Sequence, residues 1–132
     1  MAICTKADIT ELERQYGVRL PSAYRAFLLG SHPNVNAHLI GADIDMHYLP
    51  KLKNWAKELI SENNVSFTFS ENHFVFLMHQ GYYFMFFACD GSNNPPVFSY
   101  FEGQPAPALE FDSFSDWISQ CEKENIESKG IS

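Results

Sequence analysis

A chain of 132 residues, 45% hydrophobic and 19% charged, is long enough to bury a core of its own and too short to divide into two domains. Its formal net charge of −7 argues against general affinity for nucleic acid or anionic membranes and favours basic partners. That charge is unevenly placed: residues 1–60 carry seven Lys/Arg against six Asp/Glu, a net +1, whereas residues 61–132 carry two Lys against ten Asp/Glu, a net −8. The three cysteines, Cys4, Cys89 and Cys121, are scattered and form no CxxC pair, so neither a zinc knuckle nor a disulfide framework is indicated. Reduced thiols and a beginning (Met1–Lys6) without an apolar stretch predict a cytoplasmic protein.

The first predicted element is a helix over Lys6–Tyr16, with Thr5 as N-cap, Asp8 three residues on, and Gly17 as its stop. Ile9, Leu12 and Tyr16 share one face of it. A second helix opens at Pro21 and ends at Gly30, with Tyr24, Phe27 and Leu28 as its buried stripe. Residues 31–36 form a loop, and Ala37–Ile40 reads as a short strand. A third helix is predicted over Leu49–Asn63, turning Leu52, Trp55, Ala56, Leu59 and Ile60 inward. Val65–Phe69 alternates apolar with polar residues, which predicts an additional short strand.

The most informative stretch is Phe74–Ala88, two aromatic-rich apolar runs separated by Gln80-Gly81. It predicts a hairpin of Phe74–His79 and Tyr82–Cys89 with Gly81 at the positive-φ position of the turn. A strand wet on one side alternates apolar with polar residues; these strands do not, so the sheet needs cover on both faces. The run falls short of the ~20 apolar residues of a membrane helix and is interrupted by His79, Gln80 and Gly81. Residues 90–96 form a dense turn signal, Val97–Phe101 returns as a strand, and Leu109–Phe111 is extended. Ser113 with Asp116 three residues later caps a last helix that turns Phe114, Trp117, Ile118 and Cys121 inward. The polar residues after about 124 are expected to fray. The order of elements predicts a single α+β domain spanning 1–132, a mostly antiparallel β-sheet with helices packed against it.

Residues able to do chemistry are present but not grouped. The five histidines (His32, His38, His47, His73, His79) show neither HxxxH on a helix nor H-x-H, so no metal is expected. Asp43 and Asp45 flank Ile44 and would project the same way from an extended segment. Without a third oxygen-rich element they read as capping groups of a turn. No GxSxG elbow, cysteine signature or phosphate-cradling glycine loop occurs, and no cofactor is expected. Aromatics that stack on bases need a basic groove, which the −8 half does not offer.

The order of motifs resembles that of the SUKH superfamily. Leu12-Glu13-Arg14-Gln15-Tyr16-Gly17-Val18-Arg19-Leu20-Pro21 leading into Tyr24, Phe27 and Leu28 resembles the opening of that family. Gly41-Ala42-Asp43-Ile44-Asp45 before Trp55 looks like the next family segment. Phe76–Tyr82, Phe84, Pro95-Pro96-Val97 and Tyr100 resemble the hairpin and return strand of the immunity-protein branch, and Phe111, Ser113, Phe114 and Trp117 its last helix. A Gly-rich loop common in relatives is not evident between Ser31 and Ala37.

The resemblance implies an α+β fold, no catalytic residue, and a cytoplasmic immunity protein that binds and blocks a cognate toxin domain, often a nuclease. Other members act as regulatory binding hubs, so a regulatory protein-binding scaffold with an endogenous partner is the alternative. A nuclease has a basic cleft, and an acidic surface would occlude it. Glu71, Asp90, Glu102, Glu110 and Asp112 are the candidate partner-binding acids, with Tyr82 and Tyr100 as exposed aromatic anchors. The expected partner is a basic toxin domain, with no direct nucleic acid and no membrane, and the chain itself a monomer or weak homodimer. An enzyme would instead need Asp43, Asp45, His47 and His79 to converge on one pocket.

Overall fold

The computed structural model describes residues 5–31, 42–43, 48–79 and 81–131. Among them the elements run α1 (Lys6–Tyr16), α2 (Ser22–Leu28), β1 (Ala42–Asp43), α3 (Leu49–Glu62), β2 (His73–His79), β3 (Tyr83–Ala88), β4 (Val97–Phe101), β5 (Ala108–Phe111) and α4 (Phe114–Ile131). Every strand pairs antiparallel with its neighbour, in the order β1-β2-β3-β4-β5. This is the α+β arrangement that the sequence predicts. The predicted strand Ala37–Ile40, and with it Cys4, His32, His38, Asp45, His47 and Gln80, lies outside the described residues.

Local chemistry sets the helix ends. Thr5 and Asp8 close a reciprocal capping box: the Asp8 amide donates to Thr5 Oγ1 at 3.2 Å and the Thr5 amide to Asp8 Oδ2 at 2.9 Å. Gly17 ends α1 in the left-handed conformation at φ +63°. Pro21 stands immediately before α2, and Tyr24, Phe27 and Leu28 are its buried residues. The amide of Asp116 donates to Ser113 Oγ at 3.2 Å at the start of α4, which runs past Glu124 to Ile131.

The central hairpin is buried on both faces. One face carries Phe74, Phe76 and Phe87, whose rings pack with Tyr24 of α2 and Phe114 of α4 at centroid distances of 5.1–5.9 Å. The other carries Phe84 and Phe86, met by Tyr100 and Phe98 of β4. Each fully buried Phe contributes on the order of 1.5–3 kcal/mol of transfer free energy, so this aromatic sheet is the centre of the core.

The segment 65–69 is extended, as its alternation predicts, but it pairs with no strand. It lies across the sheet instead of joining it. Val65, Phe67 and Phe69 are half-buried while Ser66, Thr68 and Ser70 are exposed. Phe67 packs on Phe86 at 5.7 Å and Phe69 on Phe84 at 5.8 Å, giving the second sheet face the cover it needs. A period of two arises whenever an extended chain has one dry side, whether or not its backbone is in a ladder.

The turn over residues 90–96 ties the helices together. Asn93 O accepts the Ala23 amide at 3.0 Å, and Asn94 Oδ1 accepts the Ser115 amide at 2.9 Å. These bonds fix the start of α2 and the start of α4 over the same end of the sheet.

Candidate functional site

Two β-bulges shape the surface where α4 leaves the sheet. Along β2 the pairing steps from Val75↔Phe86 to Leu77↔Met85, so Phe76 is the extra residue. Phe76 and Leu77 therefore both turn toward the helices, Phe76 into the core and Leu77 toward the turn end. Along β5 the pairing steps from Phe111↔Val97 to Leu109↔Phe98, leaving Glu110 as the extra residue. Its carboxylate swings to the helix-covered face and accepts a hydrogen bond from Ser99 Oγ at 3.3 Å.

Between these bulges and α4 lies an open groove of about 360 Å³. Its floor is Leu77, Met85 and Trp117, and its rim includes Tyr82, Phe101, Glu110 and Glu124. The Tyr82 and Phe101 rings meet edge to face at 5.3 Å, and Phe101 is 47% exposed. Tyr83 reaches into the groove from β3, its hydroxyl pushed up to about 12 by burial first and by the Glu110 carboxylate second. It stays a neutral phenol at physiological pH.

The sequence-predicted site residues fall into separate groups. Tyr82 and Glu110 line the groove, and exposed Glu102 stands beside them, its amide donating to Tyr82 O at 2.8 Å. Glu71 and Asp90 lie at the opposite end of the hairpin, where the Cys89 amide donates to Asn72 O at 2.7 Å. There Glu71 shares a depression of about 660 Å³ with Arg19, Lys53 and Lys57, so its charge is locally opposed. Asp112 is exposed in the step between β5 and α4.

Tyr100 corrects the expectation of an exposed anchor, because it is 0% exposed. The alternation of β4 turns Ser99 and Phe101 to the helix face and Phe98 and Tyr100 to the other. Tyr100 there stacks on Phe84 at 5.6 Å and donates its hydroxyl to Gln104 O at 3.0 Å. Its neighbour Phe101 takes the place of the exposed aromatic. The residues that sequence reasoning missed are Phe101, Tyr83 and Glu124. A period-two reading of β4 pairs Phe101 with Tyr83, but which face is wet depends on where α4 crosses.

Among the described residues, no group of three or more His, Cys, Asp or Glu side chains is placed to hold a metal. Burial raises the thiols of Cys89 and Cys121 to about 12, so neither is a thiolate nucleophile at neutral pH. His73 is lowered by burial and by Lys53, and its Nδ1 accepts the Ser70 amide at 2.9 Å, holding a neutral imidazole. Of the alternative set Asp43, Asp45, His47 and His79, only His79 has a described side chain, and it lines the groove. The backbone of Asp43 pairs with Met78 in β1–β2. No described helix is long and apolar enough to cross a membrane.

The fold and groove define an α+β domain with an open, acid-rimmed surface cleft. The chain belongs to the SMI1 / KNR4 family (SUKH-1), whose family model matches residues 3–120 and so spans every strand and the packed first turns of α4. That family is generally a non-catalytic binding fold, and membership is consistent with an immunity-protein role. Comparison with curated proteins and with solved structures gives no match.

Proposed function

We propose that this protein is a cytoplasmic immunity protein that binds a cognate toxin domain, of the nuclease class, and neutralises it by covering its active cleft without catalysis. The observation that carries this reading is charge. No Lys or Arg occurs between Lys57 and Lys123, while Glu58, Glu62, Glu71, Asp90, Glu102, Glu110, Asp112, Asp116 and Glu122 fall in that span. A surface of that sign attracts the phosphate-binding cleft of a nuclease, speeds encounter, and competes with the nucleic acid for the same cations. Family membership supports a binding role, and Tyr82 and Phe101 supply the apolar anchors that such an interface needs.

The test is co-expression with the toxin domain encoded beside this gene, together with a pull-down of the two purified chains. Growth rescue with a 1:1 complex that weakens as salt rises is the expected result. Neither rescue nor complex would move the protein to the regulatory scaffolds of the same fold.

A further inference from the structure

We propose that residues 66–69 are a docking edge, beside which a protein partner lays one extended strand over Phe98 and Leu109. That this partner is the toxin domain rests on the function proposed above; the edge itself rests on three observations of its own.

The first is an unfilled ladder. The segment is extended and dry on one side, yet the main-chain N–H and C=O groups of Ser66, Phe67, Thr68 and Phe69 have no hydrogen-bond partner in the described structure. Only its ends are fastened. The Val65 amide donates to Ile60 O at 3.1 Å, and Ser70 O accepts Lys53 Nζ at 2.9 Å and the His73 amide at 3.1 Å. A row of such groups, met only by water in the free chain, is a template for another strand. The second observation is that nothing in the sequence guards it: residues 63–70 contain neither a charge nor a proline, two of the devices that keep an unpaired strand from taking a partner.

The third is room. Ile60 and Lys53 belong to α3, so α3 runs along one flank of the segment, and it packs against β2. The segment covers Phe84 and Phe86 of β3. On the same sheet face the next two strands present Phe98, half-buried, and Leu109, its cross-strand partner, 54% exposed. Paired strands lie about 4.8 Å apart, so one more strand on the flank away from α3 falls over β4, with its alternate side chains on Phe98 and Leu109. An extended main chain answers both features of the place. A helix has its own amides already paired, and an apolar small molecule would leave those of 66–69 unmet. The shelf is also continuous with the groove: Leu109 and Glu110 face opposite sides of the outermost strand β5, so an arm of a partner seated in the groove reaches the shelf round that edge.

The experiment follows amide exchange of the whole chain by NMR, free and with the toxin domain. Only every second residue of a strand bonds the neighbour on a given side. Exchange slowed at least about tenfold at Ser66 and Thr68, or else at Phe67 and Phe69, with the other pair far less affected, is the expected result. Leu109→Ala, at an exposed position, is expected to weaken the complex about tenfold, and Leu29→Ala, an exposed leucine of α2's C-terminal end, less than about twofold. A complex that leaves 66–69 unslowed, equal slowing of all four amides, or an unchanged affinity of Leu109→Ala would overturn the inference while leaving the proposed function standing. If the toxin domain does not bind, that function falls, and a random-peptide phage library selected on the whole chain decides the edge alone. Selected peptides that slow alternate amides within 66–69 support it, and a selection that yields none overturns it.

Discussion

One face of the sheet is built in two different ways along its length. Toward the 90–96 turn, Phe74, Phe76 and Phe87 interlock with Tyr24 and Phe114, all at most 1% exposed. Toward the β2–β3 turn the same strands present Leu77, Tyr83 and Met85, and the space between them and α4 stays open. The difference comes from the bulges and from what α4 offers as it proceeds. Its first turns supply Phe114, Trp117 and Ile118 to the core, and its later ones supply Gln120 and Glu124 to the groove. Close packing stabilises the first half, and incomplete packing leaves the second free to accept a partner.

Breaking the packed half has the largest expected effect. Phe76→Ala should cost about 3–5 kcal/mol in urea unfolding, because the rings around Phe76 cannot collapse into the gap. Met85→Ala, beside the existing cavity, should cost about 2 kcal/mol, the lower end for such truncations. Equal losses would erase the distinction between the halves.

Alkaline titration sharpens the comparison from the groove side. Burial raises Tyr83 from 10.0, and Cys89 and Cys121 from 9.0, each to about 12. Folded values above the unfolded ones mean that the stabilisation is whole below about pH 9 and is lost as pH rises toward 12. Tyrosinate absorbance should therefore show a late component that accompanies unfolding, to which Tyr16 also contributes, and that component should shrink by one tyrosine in Tyr83→Phe. Smaller still, Thr5→Ala should remove about 1 kcal/mol with the capping box, measured by the urea midpoint. The Glu110→Gln/Glu124→Gln variant should change stability by no more than about 0.5 kcal/mol, since both side chains are at the surface.

Much of the fold was legible because its signals are local. The Thr5 cap, the Gly17 stop, the Tyr24-Phe27-Leu28 stripe and the Gly81 turn are each written within a few residues, and each stands where it was expected. The unbroken apolar run of β2 and β3 correctly demanded cover on both faces. That the cover on one face is the 65–69 segment was not legible, because alternation reports a dry side and not a ladder. The candidate site was legible in its charge and only partly in its residues. Tyr82 and Glu110 meet in the groove, but Glu71 and Asp90 sit at the far end and Tyr100 is inside. Bulges at Phe76 and Glu110 decide which side chains face the groove, and a bulge leaves no mark in a period-two pattern.

Hydrogen exchange of the chain, free and in complex with the toxin domain, tests the central claim most directly. The account predicts new protection at residues 82–83, 101–102 and 109–111 and over residues 117–124 of α4, with little change across α1. Protection confined to α1, α2 and the 90–96 turn would contradict it, placing the partner on the other end of the molecule.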